Sequence, residues 1–314
     1  MLFALAIIPV IALLIFIYVK DKNEKEPIGL LIGIFFAGLA TCITALIGEA
    51  IGSAILDAIF SYESALKAFI LAMLVVGPVE EMGKYLALRL ITWKSKHFNY
   101  SYDAIVYAVF SSLGFAAIEN VGYVFTGGIG TAFLRMFTSI PGHACFAVFM
   151  GYFYSKAKYA SLTNNKKDYR KYNALSMIIP IIIHGLYDAI LLMARATDED
   201  AVQGLAALVW LGLVIVLFVF SFITVNKSSK NDYCIVTLPD NVQTIYRPQV
   251  AGSWTCSCGV TNYLNFCGKC GKQRPIDTTW TCPSCGTLCA YNFCGNCGCQ
   301  KSSPDRTITN TTDM

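Results

Sequence analysis

The stretch Gly77-Pro78-Val79-Glu80-Glu81-Met82-Gly83-Lys84-Tyr85-Leu86 sets two adjacent carboxylates and an ammonium inside a run otherwise made of Leu, Val, Ala and Ile. Whether that run lies in a membrane decides the fold. The chain of 314 residues is 55% hydrophobic and only 14% charged, with a mean hydropathy of +0.55. That balance is foreign to an ordinary soluble domain and points to an all-α polytopic membrane protein with a small polar tail. Seven apolar segments reach spanning length, at 2–19, 28–57, 66–93, 103–126, 133–154, 175–193 and 202–225.

The first segment has no basic residue ahead of it and no small-residue cleavage pattern at its end, so it reads as an uncleaved anchor. Lys and Arg then gather in alternate connections. Lys20, Lys22 and Lys25, then Arg89, Lys94 and Lys96, then the run from Lys156 to Lys171, then Lys227 and Lys230 fall on one side. The other side holds only Lys67, Arg135 and Arg195. The positive-inside rule puts the N-terminus outside and the C-terminal tail in the cytoplasm, as expected of a protein of the cell membrane. The net charge of +4 is accounted for by this topology and gives no reason to expect a nucleic-acid partner.

Residues 1–225 thus form a transmembrane domain, followed by a polar linker at 226–253 in which Cys234 begins a short strand-like stretch. At 254–300 a 26-residue repeat appears, each unit closing on Asn-Phe-Cys-Gly-x-Cys-Gly. Cys256, Cys258, Cys267 and Cys270 make one set of four thiols, and Cys282, Cys285, Cys294 and Cys297 the next. Such paired knuckles suit tetrahedral zinc, so a double zinc ribbon with two metal sites is expected. The first half-site departs from the pattern in having C-x-C. Disulfides are disfavoured because a cytoplasmic tail faces reducing thiol buffers. Cys289 and Cys299 are surplus to the eight ligands, the ribbons are expected to bind a protein partner, and 301–314 reads as disordered.

A charged side chain at the bilayer centre costs roughly 2.5–3.5 kcal/mol, so Glu80, Glu81, Lys84, Glu119 and Asp188 would together cost on the order of 12–17 kcal/mol if ionised and unpaired. Spacing supplies partners: Lys84 lies four residues from Glu80 and three from Glu81. Pro78 removes the hydrogen bond to the Leu74 carbonyl and is expected to bend or open the helix just before the carboxylates. Phe115 and Glu119, and likewise His184 and Asp188, are four apart on later segments, and His143 sits in Ser-Ile-Pro-Gly-His-Ala. Depths along the spans of roughly 10–21 Å place these groups in the outer half to middle of a ~30 Å core, where four spans bring them to one cavity. The third histidine, His97, lies in a loop and reads as solvated.

Glu80-Glu81-x-x-Lys84, Phe115-x-x-x-Glu119 and His184-x-x-x-Asp188, in that order on separate spans, resemble the three motifs of the PrsW family of intramembrane proteases. His143 also resembles a family position, and the segment from Tyr102 is similar to the one preceding the second motif. The resemblance covers roughly residues 60–195 and implies proteolysis of single-span, membrane-anchored proteins such as anti-sigma factors, in regulatory signalling, with kinship to CAAX-type membrane proteases. The ribbons lie outside it.

On this reading Glu80 or Glu81 is a general base for water, and His143 and His184 orient that water, bind the oxyanion or protonate the leaving amine. Asp188 fixes a histidine tautomer and Lys84 keeps one glutamate ionised. A divalent metal held by two imidazoles and a carboxylate would use the same residues; the lack of H-E-x-x-H on any one helix favours the metal-free version. The plainer readings are a structural Glu80–Lys84 ion pair, a satisfied His184–Asp188 pair, a buried His143, and packing for Phe115. Glu49 and Asp57 read as interfacial or cavity-facing. A transporter relaying ions or protons through these groups, and a scaffold recruiting partners through the ribbons, are the rival functions.

Overall fold

A computed structural model describes residues 1–236, 254–259, 261–262, 280–281, 286 and 288–289. The chain forms two compact units, Met1–Thr237 and Leu238–Met314. The first is all-helical. Its elements are α1 (Leu2–Lys20), α2 (Ile28–Ile59), α3 (Ala65–Ile70), a π-helical segment (Leu71–Val76), α4 (Gly77–Thr92), α5 (Asp103–Phe137), α6 (Ser139–Leu162), α7 (Lys166–Arg195) and α8 (Asp200–Lys230).

Among the described residues, five helical stretches are long and apolar enough to cross a membrane: Leu2–Lys20, Ile28–Ile59, Asp103–Leu162, Lys166–Arg195 and Asp200–Lys230. The sequence predicts seven. The difference has two physical sources. Residues 65–92 are divided among α3, the π-helical segment and α4, of 6, 6 and 16 residues, so no piece reaches the 18 residues of a candidate span. The stretch Asp103–Leu162 holds two helices, α5 and α6, separated only at Thr138.

α5 is the centre of the unit. Its first half is sealed almost residue for residue, with Ala104, Val106, Tyr107, Ala108, Val109 and Leu113 fully buried. Glycine makes the close approaches possible. A Cβ on Gly38 of α2 would lie 1.9 Å from the carbonyl oxygen of Ser111, and one on Gly114 would lie 2.0 Å from that of Phe35. These small-residue contacts let α2 and α5 meet backbone to backbone, as helices in lipid do where no hydrophobic force drives them together. The outer faces of α2 and α8 carry Ile32, Phe36, Ile43, Ile47, Leu208, Val216 and Phe220, all exposed and apolar, as surfaces facing acyl chains must be.

Pro78 falls in the first turn of α4, directly after the π-helical turn, and its missing N–H leaves a carbonyl of that turn without its usual partner. The opening expected before the carboxylates is realised as the π-helical turn, in which the Gly77 N–H reaches back five residues to the Ala72 carbonyl. Gly77 there faces Gly185 of α7: a Cβ at 77 would lie 3.0 Å from the Gly185 nitrogen. The glycine-rich stretch at 127–130 holds a kink at Gly128, with φ +74°, after which α5 continues to Phe137. The fifth span, expected from 133, therefore starts as α6 at Ser139. α8 runs on to Lys230, five residues into the stretch read as linker, and Cys234 forms an antiparallel bridge with Tyr100.

In the second unit, β1 (Trp254–Thr255) pairs antiparallel with β2 (Thr261–Asn262), and β3 (Trp280–Thr281) with β4 (Leu288–Cys289). Cys256 is buried. The expected zinc ligands Cys267, Cys270, Cys282, Cys285, Cys294 and Cys297, the surplus Cys299, and the tail at 301–314 lie outside the described residues.

Candidate active site

The seven polar residues singled out by the sequence converge. α4 contributes Glu80, Glu81 and Lys84, α5 contributes Glu119, α6 contributes His143, and α7 contributes His184 and Asp188. Lys84 is the hub. Its Nζ, fully buried, donates to Glu80 Oε2 at 3.0 Å and Glu81 Oε1 at 2.7 Å, and contacts His143 Nδ1 at 3.2 Å. It also lies 4.1 Å from the centre of the Phe115 ring, so Phe115 contributes a cation–π contact as well as packing.

These contacts fix His143. An ammonium can only donate, so Nδ1 is the acceptor and Nε2 carries the proton given to Glu119 Oε2, 2.9 Å away. His184 faces carboxylates on both sides: Nδ1 is 2.9 Å from Glu81 Oε1 and Nε2 is 3.3 Å from Asp188 Oδ2. The two imidazoles meet edge to face with centroids 5.3 Å apart, and Phe146 stacks on His184 at 4.7 Å. Backbone positions are pinned as well, since Ser111 donates to the Lys84 carbonyl and Ser112 to that of His143. Glu49 makes no ion pair among the described residues.

Arg135 is the participant that sequence reasoning missed. Its Nη2 lies 3.1 Å from Glu119 Oε2, and its Nε donates to Asn120 Oδ1 at 2.8 Å. In the sequence it stands as a lone basic residue of an outer connection. The Gly128 kink is what carries it back over the helix it belongs to.

The donors fit a metal ion. One atom from each of Glu80, Glu81, His143 and His184 lies within 4.8 Å of the others, and all four residues are buried. Glu81 Oε2 is buried with no hydrogen-bond partner. A positive charge, the Lys84 ammonium, already sits against three of the four residues. Two imidazoles with carboxylates form a hydrolytic zinc ligand set; a metal would share this space with the ammonium or displace it.

The fold and site together define an integral membrane protein whose polar chemistry is enclosed by its own helices. Residues 26–224 match the family described as PrsW family intramembrane metalloprotease. A "Protease PrsW" of Oceanobacillus iheyensis is 40% identical over 186 residues, covering 59% of this chain and 80% of that protein. Those of Clostridioides difficile and Bacillus subtilis are 36% and 30% identical, covering 61% and 66% of this chain and 79% and 90% of their own length. No solved structure matches. The chain belongs to the PrsW family and is a membrane peptidase.

Proposed function

We propose that this protein is an endopeptidase that cuts single-span membrane-anchored proteins in or beside the bilayer, with Glu80, Glu81, Lys84, Glu119, His143, His184 and Asp188 as its catalytic machinery. The observation that carries the reading is one connected cluster from four helices: Lys84 on Glu80, Glu81 and His143, His143 on Glu119, and His184 on Glu81. His143, His184 and Glu81 would hold a divalent metal, which when bound supplies Lewis-acid polarisation at neutral pH. The sequence alone favours the metal-free version; the family's description as a metalloprotease supports the metal-bound one.

The roles of the chain's own groups follow from their contacts. Glu80, at 6% exposed against 0% for Glu81, is the carboxylate that water reaches, and it takes the proton from that water at a carboxylate oxygen. Glu119 holds the Nε2 proton of His143 and so keeps Nδ1 an acceptor. Asp188 orients His184 through Nε2, and Arg135 orients Glu119 in turn. Lys84 keeps one of the paired glutamates charged beside the other. The packed side chains of Phe115 and Phe146 exclude bulk water, which strengthens every polar contact within.

The seven-span architecture, with the N-terminus outside and the tail in the cytoplasm of the cell membrane, belongs to the same proposal. Residues 65–92 are one unbroken helical run in three pieces, and α5 and α6 are separate helices. The hydrogen bonds Lys20–Asn226, Asn99–Glu24 and Lys158–Trp93 gather four Lys-rich connections at one end. The second unit is assigned two zinc ions and a protein-recruiting role. Its support is the repeat itself, together with φ of +84° at Gly259 and +71° at Gly286, the left-handed glycines a metal knuckle needs.

The test is cleavage of single-span membrane proteins by the purified chain in liposomes, comparing wild type with Glu80→Gln, Glu81→Gln and His184→Ala, before and after chelation and return of zinc. Loss in all three variants, with metal-dependent recovery in wild type only, is expected. Cleavage persisting in all three would overturn the site.

A further inference from the structure

A second buried group of carboxylates lies away from the site above. Asp21 follows the last turn of α1, Glu26 precedes α2, and Asp103 is the first residue of α5. One oxygen from each lies within 4.8 Å of the others. Their exposures are 1%, 3% and 0%. Asp103 and Glu119 are sixteen positions apart on one helix, about 24 Å along its axis, so the two clusters do not share groups.

No Lys or Arg forms an ion pair with these three carboxylates among the described residues. Lys25, beside Glu26 in sequence, spends its Nζ on the main-chain carbonyls of Tyr18 and Asp21, and Lys20, beside Asp21, donates to Asn226. Other hydrogen bonds aim the carboxylates without completing them. Asp103 Oδ2 accepts from the backbone N–H groups of Asn99 at 3.0 Å and Tyr100 at 2.7 Å, and Glu26 Oε2 accepts the Tyr107 hydroxyl at 2.5 Å. Asp103 Oδ1 and both oxygens of Asp21 are buried with no partner. An unpartnered carboxylate that is 99% buried, set against two more, is a costly arrangement unless something positive completes it.

We propose that Asp21, Glu26 and Asp103 form a binding site for a hard divalent cation, distinct from the peptidase centre. The donor set is all oxygen and mostly anionic, the preference of Ca²⁺ and Mg²⁺ and not of zinc. Ca²⁺ is favoured, because the donors are protein oxygens closed off from water and Mg²⁺ keeps its waters. The ion would tie the α1–α2 connection to the start of α5. It would also steady the exit of α8, since Asp232 accepts the Tyr102 N–H and the Ser101 hydroxyl and is held by Asn23.

The experiment uses the full chain in detergent, freed of divalent ions by dialysis and titrated with CaCl2 or MgCl2 to about 10 mM against NaCl of matched ionic strength. Thermal unfolding is read for wild type, Asp21→Asn, Glu26→Gln and the peptidase-site variant Glu81→Gln. Tm is expected to rise by about 5 °C or more with Ca²⁺, less with Mg²⁺, in wild type and Glu81→Gln, and to stay level in Asp21→Asn and Glu26→Gln. Terbium luminescence sensitised by Tyr107 should follow the same pattern. A wild-type Tm indifferent to both ions overturns the proposal without recourse to any variant. So does an equal rise in Asp21→Asn, which would place the ion elsewhere. A cation-free Asp21→Asn more stable than wild type, with wild type unresponsive, would show instead that the carboxylates share protons.

Discussion

Lys84→Met removes the ammonium that donates to both glutamates while keeping a side chain of similar length and shape. The wild-type ammonium is fully buried, 3.0 Å from Glu80 and 2.7 Å from Glu81. Without it two carboxylates face each other with donor atoms at most 4.8 Å apart. At an effective dielectric of about 20, keeping both ionised costs at least about 3.5 kcal/mol, in line with the ~3–5 kcal/mol lost when one partner of a buried ion pair is deleted. Lys84→Met should therefore destabilise the membrane unit by about 3–5 kcal/mol, and Lys84→Met/Glu80→Gln should regain about 2–3 kcal/mol of that because the repulsion is gone. The assay is SDS-driven unfolding in mixed micelles followed by tryptophan fluorescence. A single variant within about 1 kcal/mol of wild type, or a double variant no more stable than the single, would refute the view of Lys84 as the charge that permits paired glutamates.

Three further outcomes follow from particular contacts. Arg135→Ala frees Glu119 from its 3.1 Å ion pair and should lower the rate of substrate cleavage about 10–100-fold with little change in SDS unfolding, the usual consequence of losing a supporting contact. Asp188→Asn leaves His184 in place but weakens the 3.3 Å contact at Nε2, and cleavage in liposomes should fall by a similar factor. Gly114→Ala forces a Cβ to within 2.0 Å of the Phe35 carbonyl oxygen, so α2 and α5 must separate and stability in the same SDS assay should drop by about 1–3 kcal/mol.

Much of this architecture could be read from the chain because a membrane imposes few solutions. Apolar runs of spanning length become helices, and charged residues within them must find each other, so Glu80, Glu81 and Lys84 were recognisable from spacing alone. The same logic paired His184 with Asp188. The contact of Lys84 with His143 was not legible, since it depends on how α4 and α6 cross 59 residues apart. Arg135 was hidden because its partner Glu119 is reached through a kink at Gly128, and a glycine there reads as a turn just as readily. Asp21, Glu26 and Asp103 were overlooked for a different reason: each stands at the end of a helix, where acidic residues are ordinary, and only their burial together sets them apart. The division of the third span was missed because hydropathy has no signature for a π turn.

That π turn has a consequence for how the chain tolerates change. An α-helix advances 100° per residue, and the wider turn at Leu71–Val76 absorbs one extra residue without lengthening the rod in proportion. Six residues of this wider turn sweep roughly the angle of five ordinary ones, so α4 keeps the phase it would have had without the extra residue. Deleting one residue within 71–76 would restore ordinary winding and leave Glu80, Glu81 and Lys84 facing His143 and His184. Forcing all six residues into ordinary winding would instead add about one residue's rotation, roughly 100°, and turn those groups toward a different neighbour. The phase of the active site is thus set by a length of chain that carries no polar side chain at all.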